Sequence, residues 1–589
     1  MESNIFLKEI RRLAKRIKKD NWEQPDLRVA VLGSASIQYF VMALRYLLFK
    51  ENVKADIYEG EYNGIAMDVF DEQSRLYSFR PEVVILLPDW HDIKEWPVLL
   101  EPIDDTDKLI ESTKRYYQEI WQALGKIDGC KILQANFVVP PVHCLGNLER
   151  QRSFSKTYFL AKLNEALVEA APSAVNIIDW ELLAQMQGKY KWFDMSAYFL
   201  TKQAQSLDVL EEAVAAFVRS ILALRGKVRK CLVLDLDNTL WGGVVGDDGW
   251  DGIELDPNNA VGEAYRAFQA YVLNLKQRGV ILAVCSKNDE SVAKEPFEKN
   301  EHMLLKLDDI ACFVANWDDK ATNLKRIAQS LNIGVDSLVF VDDNPAEREI
   351  IRQYLPEVHV VDVPEDPALY VVQLDREMPF DWQELTKEDI LRSNSYIANR
   401  QRQELQHQFV NYEEYLQSLQ MRGEIGLVQE RDVERFTQLL NKSNQFNLRT
   451  RRYDEAEMEK KIQNQDSACL YAKLWDKFSE YGIISCVVLQ KQDEKCFIES
   501  WVMSCRVLKR GVEQMMFTGI LRMAKKWECR ELIAEYLPTK KNAMVKEFCE
   551  SLGFRVTAKR GESKKYQLEL TQGEEKDKHK YIEVKYLLD

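Results

Sequence analysis

No stretch of this chain is long and uniformly apolar enough to cross a bilayer as a helix, so a helical membrane protein is excluded and no membrane partner is expected. The N-terminal segment also lacks the unbroken apolar run of a signal peptide. Lys8, Arg11, Arg12, Lys15, Arg16, Lys18 and Lys19 are interleaved with Ile10, Leu13 and Ile17, which reads as a helix with one packed stripe and a solvated basic face. A cytoplasmic protein is therefore expected. Paired cysteines are missing too: the 11 present are odd in number and scattered, with no Cys-x-x-Cys, so neither a disulfide framework nor a zinc ribbon is signalled. Positive charge is in deficit, with 80 Lys and Arg against 94 Asp and Glu and a formal charge of −14. Such a field repels a polyanion, and no nucleic-acid partner is expected.

What is present is material for several packed interiors: 589 residues, 46% of them hydrophobic. One core does not grow to that size, so three or four domains are expected. From residue 28, apolar runs at 29–32 and 83–87 alternate with helical stretches at 106–124 and 154–171, the rhythm of a parallel α/β layer. A helical stretch at 207–225 leads to a second α/β unit. Its strands, 231–234, 280–284, 312–315, 338–341 and 358–363, are nearly all apolar, as strands covered on both faces must be. After a charged helical connector at 387–404, strands at 468–474, 482–489 and 496–507 follow one another before a helix near 514–526 and a strand at 531–537, an α+β pattern. The charged run 573–579 reads as a surface turn. The expected division is an α/β domain over 1–226, a second over 227–378, a connector over 379–420 and an α+β domain over 421–589.

The most informative segment is 234–241, Leu-Asp-Leu-Asp-Asn-Thr-Leu-Trp, which sets Asp235 and Asp237 two residues apart at the end of a buried strand. One carboxylate in that position attacks phosphorus to give an aspartyl-phosphate, and the other supplies and recovers a proton. Ser286 ends the second strand, where a hydroxyl holds a phosphate oxygen. Lys320 neutralises charge on the transferred group. Asp342 and Asp343 end the fourth strand and, with Asp235 and the backbone carbonyl of Asp237, suit a Mg2+ ion. The ordered series Asp-x-Asp-x-Thr (Thr239), Ser, Lys, Asp-Asp resembles the haloacid dehalogenase superfamily of phosphotransferases. Lids in that superfamily are inserted after the first motif or between the third and fourth, and both intervals are short here, so a lidless site and a large or carrier-tethered reactant are expected.

Within that superfamily, the strings at 235–243, 284–289 and 340–348 are similar to the FkbH-like subgroup. Those at 441–447 (Asn-Lys-Ser-Asn-Gln-Phe-Asn) and 503–507 (Met-Ser-Cys-Arg-Val) are similar to the same family's C-terminal region. The resemblance implies an enzyme of polyketide-type pathways that takes 1,3-bisphosphoglycerate, removes the phosphates and delivers a glyceryl unit to the phosphopantetheine thiol of an acyl carrier protein. It also implies that Asn238, Lys287 and Asn288 contact the substrate or carrier. Alternative readings are a lidless phosphatase acting on a macromolecular phosphoester and an N-acyltransferase fused to a phosphatase domain.

The strand at 496–507, the loop 509–513 and the helix after it resemble the GNAT acyltransferase fold, in which loop amides face a pyrophosphate. The usual loop motif is broken by Leu508 and Glu513, and Glu513 adds negative charge where a pyrophosphate would sit. Lys509, Arg510, Gly511 and Arg506 remain the expected contacts to a pantetheine phosphate. Thioester chemistry needs a sulfur nucleophile. Cys285 is expected to turn into the core by strand alternation, which leaves Cys505 as the expected acyl carrier, its thiolate favoured by Arg506 and Lys509.

The segment 29–36 is similar to the first block of SGNH hydrolases, with Ser34 and Ala35 where that block has Asp and Ser. The stretch Asp194-Met195-Ser196-Ala197 lacks the late histidine of a triad. The unit is therefore read as a degenerate hydrolase fold serving docking or packing, with Ser36 a shifted nucleophile at most and His91, beside Asp89, given a packing or turn role.

Overall fold

The computed structural model describes residues 6–10, 12, 25–100, 102–382, 385, 390, 392–406, 408–443, 445–504, 507–539, 541–570 and 580–588. Of the basic N-terminal stretch, residues 6–10 are helical, with Phe6 and Ile10 buried and Lys8 exposed. The remainder of that stretch beyond Arg12, and the charged run 573–579, lie outside the described residues. Among the described residues no helix is long and apolar enough to cross a membrane.

The chain divides into two compact units, the first ending at Gly226 and the second beginning at Lys227. The first is built on β1 (Leu27–Gly33), β2 (Ala55–Glu59), β3 (Val83–Leu87), β4 (Lys131–Ala135) and β5 (Val175–Ile178). All pair in parallel in the order β2-β1-β3-β4-β5. Parallel strands need crossovers, and the helices that supply them cover both faces, which is why Val83 to Leu87 are buried without interruption. Helix α1 (Gln38–Lys50) follows β1, α2 is Met195–Thr201, and a further helix, Leu210–Leu224, ends the run of residues up to Gly226.

The second unit holds two sheets. The first has β6 (Cys231–Leu234), β7 (Ile281–Ser286), β8 (Cys312–Ala315), β9 (Leu338–Val341) and the two-residue β10 (His359–Val360), parallel in the order β10-β9-β6-β7-β8. The strand expected over 280–284 runs on to Ser286, and that expected over 358–363 is cut to a half-buried edge pair. The intervals are as short as expected. Between β6 and the helix beginning at Ala260 there is only α3 (Val245–Gly252), and α4 (Lys320–Ser330) leads directly towards β9.

The other sheet is an α+β meander. Its strands are β11 (Met421–Leu427), β12 (Phe446–Asn447), β13 (Ser467–Trp475), β14 (Glu480–Gln492), β15 (Lys495–Met503), β16 (Glu531–Tyr536), β17 (Arg555–Arg560), β18 (Ser563–Glu569) and β19 (Ile582–Leu587). The order is β17-β18-β16-β15-β14-β13-β11-β19, with neighbours antiparallel from β11 to β15. β15 and β16 pair in parallel over three residues only, Lys495–Phe497 against Glu531–Ile533. Further along, β12 takes the free edge of β15, with Phe446 opposite Met503. This is the GNAT-like arrangement expected; β17 is the closing strand expected after Leu552-Gly553-Phe554, while β11, β12, β18 and β19 were not expected.

The connector contains helix α5 (Arg392–Gln406). Tyr396 packs into the core of the parallel sheet, and Arg400 donates to the carbonyls of Leu307 (3.0 Å) and Ile310 (2.7 Å). Two residues on, Arg402 leaves for the other sheet. Its guanidinium binds Asp476 through both nitrogens, at 2.6 and 2.8 Å, and donates to Ser479 at 2.6 Å. Both side chains are buried, at 1% and 0% exposure. Burial alone pushes Asp476 up, but the hydrogen bonds and charge of Arg402 outweigh it and hold the carboxyl below its usual range. A depressed folded-state value stabilises fully above the ordinary carboxylate range and fades as pH falls through the lowered value. Asp476→Asn leaves a buried guanidinium uncompensated and is expected to destabilise the second unit by about 3–5 kcal/mol, read from denaturant unfolding; replacing both partners by apolar residues is expected to cost less.

Candidate active site

Asp235 follows β6 directly, its amide donating to the Val341 carbonyl at 3.0 Å, so the strand ladder fixes where its carboxylate points. Two residues later Asp237 turns the other way into a nest of donors. Its Oδ1 accepts from Trp241 Nε1 (3.0 Å) and the Val245 amide (2.9 Å), and its Oδ2 from Asn288 Nδ2 (3.3 Å). Burial raises the Asp237 pKa above the usual value, and these three donors pull against the rise. Between the two acids, Asn238 adopts φ 53°, a left-handed conformation that asparagine tolerates. Its side chain accepts from the Gly243 amide at 3.0 Å, and its carbonyl accepts from Tyr370 (3.0 Å) and Tyr265 (3.3 Å). Asn238 is therefore an anchor of the loop. Thr239, fully buried, accepts from the Asp343 amide at 3.2 Å and ties the first loop to the fourth.

Lys320 opens α4, five residues beyond the end of β8, so it enters from a helix start and not from a strand terminus as the other site residues do. Its ammonium, 3% exposed as a residue, lies 3.0 Å from Asp235 Oδ2 and 2.5 Å from Asp342 Oδ2. Burial works against its charge, but the two carboxylates outweigh it and its pKa is raised. Burial and the charge of Asp235 push Asp342 up to about 7, with Lys320 opposing, and raise Asp343 in the same sense. Oxygens of Asp235, Asp342 and Asp343 lie within 4.8 Å of one another. The Asp237 side chain is not part of that cluster. Asp235 Oδ1 is buried and accepts no hydrogen bond among the described residues. Ser286 is buried at the end of β7, and Cys285 beside it packs in the sheet core, its thiol raised by burial. Lys287 sits at the rim, paired with Glu347 at 2.6 Å.

The FkbH N-terminal domain family matches residues 28–223. A solved structure of the N-terminal part of the protein BF1531 from Bacteroides fragilis, containing a phosphatase domain and complexed with Mg, is 37% identical, with a TM-score of 0.59; the match covers 64% of this chain and 99% of that one. The chain belongs to the FkbH-like family. It is an enzyme of the haloacid dehalogenase phosphatase type. Two further solved structures match at low identity: the PaiA N-acetyltransferase from Thermoplasma acidophilum in complex with coenzyme A (14% identity, 25% of this chain and 99% of that one, TM-score 0.21) and the IAA acetyltransferase from Bacillus cereus (12%, 25% and 99%, TM-score 0.19). Comparison with curated proteins gives no match.

In this FkbH-like chain the two C-terminal motif strings, some sixty residues apart, meet. Phe446 and Asn447 pair with Met503 and Val502, and Asn542 Nδ2 donates to the Asn447 carbonyl at 2.9 Å. Cys505 and Arg506 lie outside the described residues. Lys509, Arg510 and Gly511 precede α6 (Val512–Lys526), which starts two residues before the expected position because Gly511, at φ 90°, turns the chain into it. Glu513 accepts from the Lys509 amide at 2.8 Å, so the chain's own carboxylate fills part of the loop that faces an anion in the GNAT fold. The Arg510 guanidinium is hydrogen-bonded to Tyr481 and lies 3.7 Å from Asp476. Lys509, Arg510 and Gly511 are therefore adjacent but not gathered around one open phosphate site.

Two contributors were not assigned from sequence. Trp241 was read only as part of a motif, yet its indole holds Asp237. Arg348, in the motif at 340–348, is buried and donates to the carbonyls of Asp342 (2.7 Å) and Asp343 (2.8 Å), clamping the loop that carries both acids. An arginine five residues past the Asp-Asp pair, in the first turn of the helix that follows, was the available signal. Because residues that orient a charged cluster typically matter 10–100-fold, Arg348→Leu is expected to slow phosphate release from p-nitrophenyl phosphate by about that factor while circular dichroism stays unchanged.

Proposed function

We propose that this enzyme is a Mg2+-dependent glyceryl transferase and phosphatase that takes 1,3-bisphosphoglycerate, removes its phosphates and leaves the three-carbon acid as a thioester on an acyl carrier protein. The observation that carries the reading is the convergence of Asp235, Lys320, Asp342 and Asp343 at an edge with no inserted lid. A reactant there is not enclosed by closure, which favours one delivered on a larger molecule. The family resemblance supplies the three-carbon substrate and the carrier.

The residues fit a magnesium ion. Three carboxylates against one ammonium leave net negative charge where a phosphate dianion must enter, and the buried Asp235 Oδ1, an oxygen donor, has no hydrogen-bond partner among the described residues. Asp235, Asp342 and Asp343, with the backbone carbonyl of Asp237, would hold it. When bound, it neutralises charge on the phosphoryl oxygens.

Asp235 attacks phosphorus, forming an O–P bond as the ester P–O bond breaks. Asp237 gives a proton to the departing oxygen, and then takes one from the water that attacks the aspartyl-phosphate. The raised pKa of Asp237 suits both duties. Lys320 steadies the anionic group, and the Ser286 hydroxyl, with Asn288 and Lys287 at the rim, positions it. At the acyl-phosphate end a thiolate attacks the carbonyl carbon: a C–S bond forms, the C–O bond to phosphate breaks, and phosphate leaves. We place that thiolate on Cys505, with Arg506, Lys509 and Gly511 towards the carrier arm; the carrier's pantetheine thiolate then attacks the same carbonyl carbon, forming its C–S bond as the bond to Cys505 breaks and the Cys505 thiolate is regenerated.

The test mixes enzyme, Mg2+, 1,3-bisphosphoglycerate and holo carrier protein and weighs the carrier. The expected result is a glyceryl adduct on the carrier. Asp235→Asn, or excess EDTA, should suppress phosphate release by at least about 10³-fold. Cys505→Ser should abolish transfer while sparing phosphate-monoester hydrolysis. Phosphate release from phosphoproteins with an unchanged carrier mass would favour instead a phosphatase of macromolecular esters.

A further inference from the structure

The chain is acidic overall, with a formal charge of −14, yet one face of the β17–β18 hairpin carries the opposite sign. This hairpin forms one edge of the GNAT-like sheet, and β17 is exposed along its whole length. The ladder sets Arg555 opposite Gln567, Ala558 opposite Lys565 and Arg560 opposite Ser563. An irregularity between Val556 and Ala558 inserts one residue, and this is what puts Arg555 and Arg560, five positions apart, on the same face. Ser563, Lys565 and Gln567 alternate onto that face of β18, so Arg555, Arg560 and Lys565 stand on it together. Among the described residues none of the three is paired with a carboxylate. On the other face Lys559 lies opposite Lys564, which is held by Glu550 at 2.7 Å. Like charges placed across a ladder cost stability, so the positive charge of this hairpin does not serve the fold.

The position of the face decides what it can meet. β16 starts parallel to β15, and Tyr536 at its C-terminal end pairs with Lys564 at the start of β18. The hairpin turn therefore stands at the end of the sheet towards which β15 runs, through Met503. Cys505, the proposed thioester carrier, comes two residues later in the chain. One strand in from the hairpin, Glu535 lies opposite Lys565 and 3.1 Å from Arg449, whose guanidinium covers the Phe497 ring at 5.0 Å. Cationic groups thus run from the free edge at Arg555 across to β15.

The spacing and the neighbours of these groups state the chemistry of the partner. Arg555 and Arg560 are separated by roughly 15 Å along the strand, too far to converge on one small anion. Glu535 beside Lys565, and Glu569 two residues beyond Gln567 on the same face, break the row. A nucleic acid, with a charge about every 1.7 Å, meets repulsion there as well as attraction. A protein surface with discrete carboxylates fits between those acids, and a local field of the right sign draws it to a chain that elsewhere repels acids.

We propose that this face of β17 and β18 docks the acyl carrier protein, taking carboxylates on the surface around its pantetheine arm, so that the arm's thiol is presented at the end of the sheet that leads to Cys505. The inference rests on the carrier reading given above. Arg555, Arg560 and Lys565 supply encounter rate and orientation and take no part in the bond changes.

The test uses the full chain and the organism's own holo acyl carrier proteins. Carrier affinity is measured by biolayer interferometry for the native chain and two triple variants, one with Arg555→Gln, Arg560→Gln and Lys565→Gln, the other with Glu at the same positions. The neutral variant should raise Kd at least about ten-fold, and the reversed one further. The native Kd should weaken between about 50 and about 300 mM NaCl, while that of the neutral variant changes little. KM for the carrier should rise in step, whereas transfer to free pantetheine and hydrolysis of p-nitrophenyl phosphate should keep native rates. A charged edge strand also deters edge-to-edge pairing. Variants that self-associate on gel filtration yet bind carrier as the native chain does would overturn the proposal. So would a native chain that binds no carrier, or one that through these residues binds an RNA oligonucleotide or phosphatidylglycerol vesicles more tightly than carrier. The two readings fail separately. A glyceryl adduct formed at unchanged affinity by the variants removes the docking face alone, and affinity lost in the variants with no adduct from any chain removes glyceryl transfer and leaves the docking face.

Discussion

Lys320 buried between Asp235 and Asp342 is the contact on which the second unit's chemistry rests. An ammonium taken out of water is tolerated only where opposite charge meets it at contact distance, and here two carboxylates do so from the ends of neighbouring strands. The reverse also holds. Three acids lie within 4.8 Å of one another, and burial, then the charge of Asp235, lifts Asp342 to about 7. Each surrounding feature serves to keep the charges where they are. Arg348 clamps the carbonyls of Asp342 and Asp343, Thr239 ties the fourth loop to the first, and Tyr265 and Tyr370 hold the Asn238 carbonyl so that Asp235 and Asp237 point to different tasks.

The same logic of a buried charge pair recurs away from the site. Arg402 and Asp476 are fully withdrawn from water, and Tyr481 and Arg510 close around them. The α5 helix that carries Arg402 is packed on the parallel sheet through Tyr396 and Arg400, which fastens the two sheets of the second unit through one helix. The GNAT-like sheet has been adapted from within: Glu513 takes a loop amide, Arg510 is drawn inward, and β12 sits on the edge of β15. The loop before α6 is thus closed partly by the chain's own carboxylate.

Much of this was legible in the linear order of residues. Strands buried on both faces are continuous apolar runs, so β3, β6, β8 and β9 were visible with their ends, and acids placed immediately after such runs must gather at one edge of a parallel sheet. The Asp235, Asp237, Ser286 and Asp342 positions followed from that rule. Two elements were less legible: β17 is exposed throughout and presents no buried face, and the apolar run at 358–363 keeps only two residues, His359–Val360, in the sheet.

What sequence alone determined, then, was the set of groups carried by local strand-and-loop chemistry, because a residue at a strand end has its direction set by its neighbours in the chain. Tertiary structure decided every pairing between distant segments. Only packing brings Lys320 from a helix start onto Asp235 and Asp342, sets Thr239 against the Asp343 amide and aims Arg402 at Asp476. Such contacts depend on the angles at which whole elements pack, and no local pattern of residues encodes those angles.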